Sequence, residues 1–278
     1  MGAASMTAFF FVLIFFIGAS VGSFLNVCIA RWPAEQSVVR PRSRCPRCGA
    51  GIAWYDNVPV VSWLVLRAKC RNCGLPISIQ YPLVEAAVGF MWVAAVYWYG
   101  PNSIAVRVAV FATILLGIAI TDAKHYLIPD GFTVTGLLFG GAAAVLGAHW
   151  GMQDPFASPI DAVFGACVGA GAITIIGWLG EVVLKKEAMG FGDTTLMAMC
   201  GVALGPGRAL LTIFVGALFA AAAFALVVYP VGFVRAKRRG ESFEVPLVPF
   251  GVFLAPAAMF TLLFGSSLIG WYIDRVIG

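Results

Sequence analysis

The fold of this chain is decided by a stretch of 25 residues, Met6–Ala30, which reads MTAFFFVLIFFIGASVGSFLNVCIA. The stretch carries no charged side chain and, at about 1.5 Å per helical residue, is long enough to cross the ~30 Å hydrocarbon core of a bilayer. A secretory signal peptide would need a basic N-terminal region and a shorter apolar core. The stretch therefore predicts a transmembrane helix that is retained in the mature protein.

The composition extends this interpretation to the whole chain. Of the 278 residues, 61% are hydrophobic and only 11% are charged, which excludes an ordinary soluble domain. Uncharged apolar stretches predict an all-α polytopic membrane protein with about eight transmembrane helices. The predicted spans are Met6–Ala30, Ile77–Tyr99, Ser103–Thr121, Gly131–His149, Asp161–Leu184, Gly190–Gly205, Ala209–Val234 and Val248–Trp271.

The distribution of basic residues predicts the orientation in the membrane. If the long loop 31–76 is cytoplasmic, alternation places three further connections, 122–130, 185–189 and 235–247, on the same side. These four segments hold 15 of the 18 Lys and Arg residues, as the positive-inside rule expects. Both termini are then predicted to face away from the cytoplasm.

The loop 31–76 contains two Cys-x-x-Cys pairs, Cys45 with Cys48 and Cys70 with Cys73. Four thiolates in this pattern suit a tetrahedral Zn²⁺ site that is closed and structural. A pair of disulfides is the alternative, and the reducing cytoplasm disfavours it. We predict a small zinc-ribbon-like loop whose folding free energy comes mainly from the metal.

Two aspartates are predicted to lie at membrane depth on the cytoplasmic side. Asp122 ends the third span, and Asp193 follows two glycines in the stretch Gly190-Phe191-Gly192-Asp193. Only a helix starting near Gly190 can cross before Arg208, which places Asp193 in the first turn of the sixth span. Two such carboxyl groups can share one proton and activate water against a peptide carbonyl. The alternative is two unrelated acids at helix ends, as we expect for Asp130, a predicted N-cap of the fourth span.

Other residues in the spans have mainly structural interpretations. Asn26 is expected to bond a neighbouring helix, whereas Glu85 either complements the start of the second span or has a functional role at that depth. Pairs of glycines four residues apart predict close helix packing. These pairs are Gly18/Gly22, Gly136/Gly140 and Gly165/Gly169.

Together these motifs resemble the bacterial type IV prepilin peptidases, and the resemblance covers most of the chain. It is carried by both cysteine pairs and by several further motifs. These are Gly22–Asn26 with Arg31 and Pro33, Asp56–Leu64, Leu66-Arg67, Tyr81–Glu85, Asp122 with Ile128–Asp130, Met189–Asp193, and Pro249–Gly251 with Phe253-Leu254. The chain departs from the family pattern at Thr194-Thr195, where a bulky residue and Lys are usual, and at Gln80, where Arg is common.

The resemblance implies a membrane aspartyl protease of the GxGD type in the bacterial inner membrane. Asp122 and Asp193 would be the catalytic pair, with Gly190, Gly192 and Glu85 supporting the site. The substrates would be prepilins and pseudopilins of type IV pilus or type II secretion machinery, cut after a glycine on the cytoplasmic side. The resemblance also implies methylation of the new N-terminal amine by S-adenosylmethionine, with the cysteine-containing loop involved.

These features divide the chain into three parts and leave two alternatives open. Residues 1–30 would form the first helix, 31–76 the cysteine loop associated with methyl transfer, and 77–278 the peptidase domain. One alternative is a leader peptidase without methyltransferase activity, because no Gly-x-Gly-x-x-Gly motif marks a methyl-donor site. The other is a carboxylate-coupled transporter or scaffold with a zinc module. Membrane lipid is an expected partner and nucleic acid is not.

Overall fold

The computed structural model describes residues 3–151, 155–185, 189–239 and 248–277. Within these ranges the regular structure is helical, with two isolated β-bridges in the cysteine loop. This confirms the predicted all-α class. The α-helices are α1 (Ala3–Arg31), α2 (Val61–Val65), α3 (Gln80–Tyr99), α4 (Ser103–His125), α5 (Asp130–His149), α6 (Pro159–Leu184), α7 (Phe191–Leu204), α8 (Pro206–Ala223), α9 (Tyr229–Arg239) and α10 (Gly251–Tyr272).

Seven helical stretches in the described ranges are long and apolar enough to cross a membrane, so the chain is a multi-pass membrane protein. One of them joins α8 to α9 through a π-helical turn, Phe224–Val228. The remaining predicted span corresponds to α7, which has 14 residues. At 1.5 Å per residue α7 is about 21 Å long, shorter than the ~30 Å hydrocarbon core.

The helix boundaries differ from the predicted spans in a few places. The second span was predicted to begin at Ile77, but α3 begins at Gln80. Asp130 was predicted to be an N-cap, and this was wrong: Pro129 occupies that position and Asp130 is the first residue of α5, with no capping bond from a side chain. The predicted connections 185–189 and 235–247 lie partly outside the described residues, at 186–188 and 240–247.

The chain divides into two compact units, residues 1–117 and 118–278, with the boundary inside α4. In the first unit α1 packs along α3 through glycines. A Cβ atom added at Gly18 would lie 2.8 Å from the Cβ of Trp92, and one added at Gly22 would lie 2.8 Å from the Cα of Glu85. The predicted close packing at this glycine pair is therefore confirmed, because neither position has room for a side chain.

The second unit is built on α7, which packs against α6 and α5. A Cβ atom added at Gly165 would collide with the carbonyl oxygen of Gly201, and one added at Gly169 would collide with that of Met197. On the other side, a Cβ atom at Gly140 would lie 2.9 Å from a methyl group of Val202. Glycines in α5 and α6 thus let the short helix α7 lie close to both of these neighbouring helices.

The helices α8 and α10 form the other pair of the second unit. Their contact includes a hydrogen bond of 2.6 Å between the hydroxyl groups of Thr212 and Thr261, both fully buried. A Cβ atom added at Gly216 would lie 2.9 Å from a methyl group of Leu254. This pairing holds α10 in place. The first turn of α10 borders the candidate active site.

Candidate active site and metal centre

Asp122 lies in the last turn of α4 and belongs to the second unit. Its side chain is 5% exposed, and its Oδ2 atom accepts a hydrogen bond of 3.0 Å from the backbone N–H of Val252. The donor lies in the first turn of α10, where backbone N–H groups have no partner within the helix. The start of α10 therefore holds one carboxylate oxygen in place.

Asp193 lies in the first turn of α7 and is half-buried. Gly190 occupies the N-cap position with an extended backbone, and the backbone N–H of Asp193 donates to the Gly190 carbonyl at 3.1 Å. The depth of Asp193 in the membrane stays a prediction.

The second unit brings the segments that carry Asp122 and Asp193 together around Ile128. The buried side chain of Ile128 lies between the helix starts that carry the site. A Cβ atom added at Gly192 would lie 3.0 Å from the Cβ of Ile128, and one added at Gly251 would lie 2.9 Å from its Cδ1. Both glycines therefore let the backbone approach Ile128 closely.

Gly251 also borders Asp122 directly. A Cβ atom there would lie 2.8 Å from Asp122 Oδ2, so a side chain would displace the carboxylate. The sequence motifs Pro249–Gly251 and Ile128–Asp130 carried the family resemblance, but neither Gly251 nor Ile128 was given a role. The sequence signal for Gly251 was a glycine at the start of an apolar helix. Such a glycine does not indicate which residue it contacts.

Two interacting carboxyl groups in one site titrate as a unit. Such a pair can accept a proton from water through one oxygen and donate a proton through another, which is the requirement for general acid–base hydrolysis of a peptide bond. The half-buried position of Asp193 leaves a side of the pair from which a substrate can approach.

The four cysteines of the loop converge in the first unit. Their sulfur atoms all lie within 4.8 Å of one another, and the Sγ atoms of Cys45 and Cys73 are 4.0 Å apart. All four thiols are free, so the alternative of two disulfides is wrong. Four sulfurs around a tetrahedral zinc would be about 3.8 Å apart, given Zn–S bonds of about 2.3 Å. The donor set and its spacing thus fit a metal ion.

The two cysteine pairs have the same local backbone. Gly49 and Gly74 follow the second cysteine of each pair with φ of 73° and 67°, and each donates its N–H at 2.9 Å to the carbonyl of the first cysteine. Isolated β-bridges then close both turns, Arg44 with Gly51 and Lys69 with Pro76. Each pair is thus one turn that points two thiols the same way.

Hydrogen bonds favour the thiolate at two of the four cysteines, whereas burial and the neighbouring thiols raise the pKa of Cys73 to about 11. The backbone N–H of Ala50, and then the side-chain amide of Asn72, lower the pKa of the Cys48 thiol to about 6. Backbone N–H groups of Cys73 and Asn72 also lower the pKa of Cys70. Metal binding needs the deprotonated sulfur, so these donors support it.

A charged pair ties the second cysteine turn to the segment between the pairs. The Arg71 guanidinium donates two hydrogen bonds of 2.7 Å to Asp56, and this partner holds the pKa of the Asp56 carboxyl below its usual range. The same guanidinium lies 5.7 Å above the centre of the Tyr55 ring. The bidentate geometry orients the segment although its net stabilisation at an exposed position is small.

Glu85 lies in the first unit, whereas both aspartates belong to the second. Its Oε2 atom accepts a hydrogen bond of 2.7 Å from the backbone N–H of Val60, just before α2, rather than complementing the start of its own helix. Asn26 bonds a neighbouring helix as predicted, donating from Nδ2 to the Tyr81 carbonyl at 3.1 Å. These two side chains join α1, α3 and the cysteine loop.

Two family models match the chain. The model of the bacterial peptidase A24 N-terminal domain matches residues 16–99, and the model of the type IV leader peptidase family matches residues 109–226. The first covers the cysteine cluster with Glu85, and the second covers both aspartates. No solved protein structure matches the chain.

Several curated proteins are similar over most of the chain. A prepilin leader peptidase/N-methyltransferase of Myxococcus xanthus is 46% identical over 73% of this chain, and that match spans 58% of the relative's own length. Proteins of the same name from Aeromonas hydrophila and Burkholderia pseudomallei are 32% and 35% identical. They match over 96% and 90% of this chain and over 95% and 84% of their own lengths. These matches confirm the resemblance found in the sequence, and the chain belongs to the type IV leader peptidase family.

Proposed function

We propose that this protein cleaves the basic leader peptide of type IV prepilins and pseudopilins after a glycine and then methylates the new N-terminal amine. Membership of the family and the name of the relatives, prepilin leader peptidase/N-methyltransferase, support both activities. The observation that carries the cleavage proposal is that Asp122 and Asp193 lie in one unit, on segments that meet around Ile128.

In the proposed cleavage, one carboxylate of the pair takes a proton from a water molecule, whose oxygen attacks the scissile carbonyl carbon. The other carboxyl group donates its proton to the carbonyl oxygen. As the tetrahedral intermediate collapses, the first carboxyl group gives the proton taken from water to the leaving nitrogen, and the second carboxylate takes its own proton back. The Val252 N–H keeps one Asp122 oxygen occupied, which fixes the orientation of the other. Gly192 lets the backbone approach Ile128, whereas a Cβ atom added at Gly190 would have no heavy atom nearer than 4.0 Å, so Gly190 leaves space in which an extended substrate backbone can reach Asp193.

The two cofactors of the proposal have different roles. Zn²⁺ held by Cys45, Cys48, Cys70 and Cys73 would be structural, because four thiolates leave no open coordination position. S-adenosylmethionine, when bound, supplies the methyl group. The chain's own residues must bind that donor and present the new amine to it.

The proposal also covers the orientation of the chain in the membrane and its division into domains. The excess of Lys and Arg in the loop 31–76 supports a cytoplasmic cysteine loop and cytoplasmic active site in the bacterial inner membrane. Residues 31–76 would serve methyl transfer, and 77–278 would hold the peptidase. Type IV pilus or type II secretion machinery and membrane lipid would be the partners.

The test uses the purified full chain in detergent with a synthetic precursor and S-adenosylmethionine labelled in its methyl group. We expect a shortened product that begins with the residue after the glycine and carries the label. An unlabelled product would identify a leader peptidase without methyltransferase activity. If the precursor remained intact, the cleavage proposal would fail, and the alternative of a carboxylate-coupled transporter or scaffold with a zinc module would gain support.

A further inference from the structure

The first unit contains a cavity of about 750 Å³ among α1, α3 and the cysteine loop. Its volume is in the range of sites that enclose a small molecule, about 300–1,000 Å³. The lining mixes aromatic rings, among them Tyr55, Trp63 and Tyr81, with amides and with charged groups of both signs. This composition suits a ligand that has a flat ring system and several charged groups, rather than a hydrocarbon.

Glu85 lines this cavity and is buried, with 9% of the residue exposed. It accepts hydrogen bonds from the Val60 N–H and from the Ser23 side chain, but no basic side chain in the described ranges pairs with it. A buried carboxylate without a cation is costly and is therefore a functional candidate, particularly at membrane depth.

Asn26 adds an unpartnered acceptor to the lining of the same cavity. Its side chain is 3% exposed, its Nδ2 donates to the Tyr81 carbonyl, and its Oδ1 has no hydrogen-bond partner. Leaving a buried acceptor unpaired costs free energy, and most such groups in proteins are paired. A donor supplied by a ligand would satisfy it.

The backbone beside Glu85 is strained. Val60 has φ 62° and ψ −49°, although a β-branched residue rarely adopts positive φ. Its N–H is the group that Glu85 holds at 2.7 Å. Such strain is typical of ligand-binding segments, where the surrounding contacts maintain it.

We propose that this cavity binds the methyl donor, S-adenosylmethionine, and that Glu85 and Asn26 receive its α-ammonium group. This inference rests on the methyltransferase half of the proposed function and gives that activity a site. The ammonium group supplies both the positive charge that Glu85 lacks and the donor that Asn26 Oδ1 lacks. The aromatic side chains of the lining offer ring faces for the adenine.

The experiment measures binding directly, with the zinc-loaded full chain in detergent and two probes. S-adenosylhomocysteine carries the ammonium group, and 5′-methylthioadenosine has the same nucleoside without the amino-acid part. The wild type should bind the first probe more tightly than the second. Glu85→Gln should weaken binding of S-adenosylhomocysteine about tenfold or more, because a hydrogen-bonded charge is lost, and should leave methylthioadenosine binding unchanged. Asn26→Leu should reduce the same difference between the probes.

The matched control is Glu35→Gln, which makes the same change of charge at an exposed residue of this unit outside the cavity lining. It should bind both probes like the wild type. Zinc content, measured on every variant, verifies that the cysteine loop is intact. The expected Gln variant keeps its zinc but methylates already processed pilin poorly.

Three results would overturn the inference. Equal binding of S-adenosylhomocysteine by the wild type and Glu85→Gln, with wild-type methylation intact, would show that Glu85 does not bind the donor. The proposed function would not be affected. A Gln variant that binds this probe normally but has a raised KM for processed pilin would assign Glu85 to the substrate amine. A wild type that cleaves but neither binds the donor nor methylates would refute the methyltransferase half, and the inference with it.

Discussion

The backbone N–H of Val252 donates a hydrogen bond of 3.0 Å to Asp122 Oδ2, which links the first turn of α10 to the last turn of α4. These residues are 130 positions apart in the sequence. The contact explains why Gly251 stands immediately before Val252: a side chain there would occupy the space of the carboxylate oxygen. A proposed catalytic group is thus positioned by a helix start far away in the chain.

The first prediction concerns this glycine. Gly251→Ala would put a Cβ atom 2.8 Å from Asp122 Oδ2 and 2.9 Å from Ile128 Cδ1, so the carboxylate must move. Since small displacements of a catalytic group can cost about 10²-fold, we expect cleavage to fall by about that factor while the protein still accumulates in the membrane. Gly270→Ala is the matched control, because no heavy atom lies within 4 Å of its added Cβ in the same helix. Equal cleavage rates for the two variants would contradict this role of Gly251.

The second prediction concerns the aspartates themselves. Asp122→Asn and Asp193→Asn each remove one acid–base group, and cleavage of a precursor should fall by about 10²–10⁴-fold or become undetectable. Membrane levels of both variants should stay close to those of the wild type. Asp130→Asn serves as the control, since Asp130 is an exposed acid in the first turn of α5. Retained cleavage in either of the first two variants would rule out the pair.

The sequence predicted what depends on local composition. Apolar stretches located the helices, and glycine spacing predicted the packing surfaces of Gly18 and Gly165. It could not predict the role of Ile128 or Gly251, because their importance comes from contacts between segments far apart in the chain. The partner of Glu85 was likewise invisible: an acid near a helix start normally complements that helix, whereas here it holds the Val60 N–H of another segment.

The third prediction concerns the cysteine cluster. Replacing Cys45 and Cys48 with Ser removes two of four converging sulfurs, so the loop should lose its zinc and become protease-sensitive. Elemental analysis of the purified protein would give the zinc content per chain. Cys167→Ser, an exposed cysteine in α6, should leave that content unchanged. A double variant that still holds one zinc per chain would show that the four thiols are not the ligands.

The fourth prediction concerns the close contact of α6 with α7. A Cβ atom in Gly165→Ala would collide with the Gly201 carbonyl oxygen and lie 2.8 Å from the Cα of Gly205, so the two helices must separate. Overpacking of this kind costs about 1–3 kcal/mol, which should lower the midpoint of thermal unfolding in detergent. Because α7 carries Asp193 in its first turn, the separation should also slow cleavage.

The matched control is Gly171→Ala, which lies in the same helix with no heavy atom within 4 Å of its added Cβ. It should unfold at the wild-type temperature or slightly above, because Ala favours a helix more than Gly does. If Gly165→Ala and Gly171→Ala unfolded at the same temperature, the close contact at Gly165 would not be what holds α7 against α6.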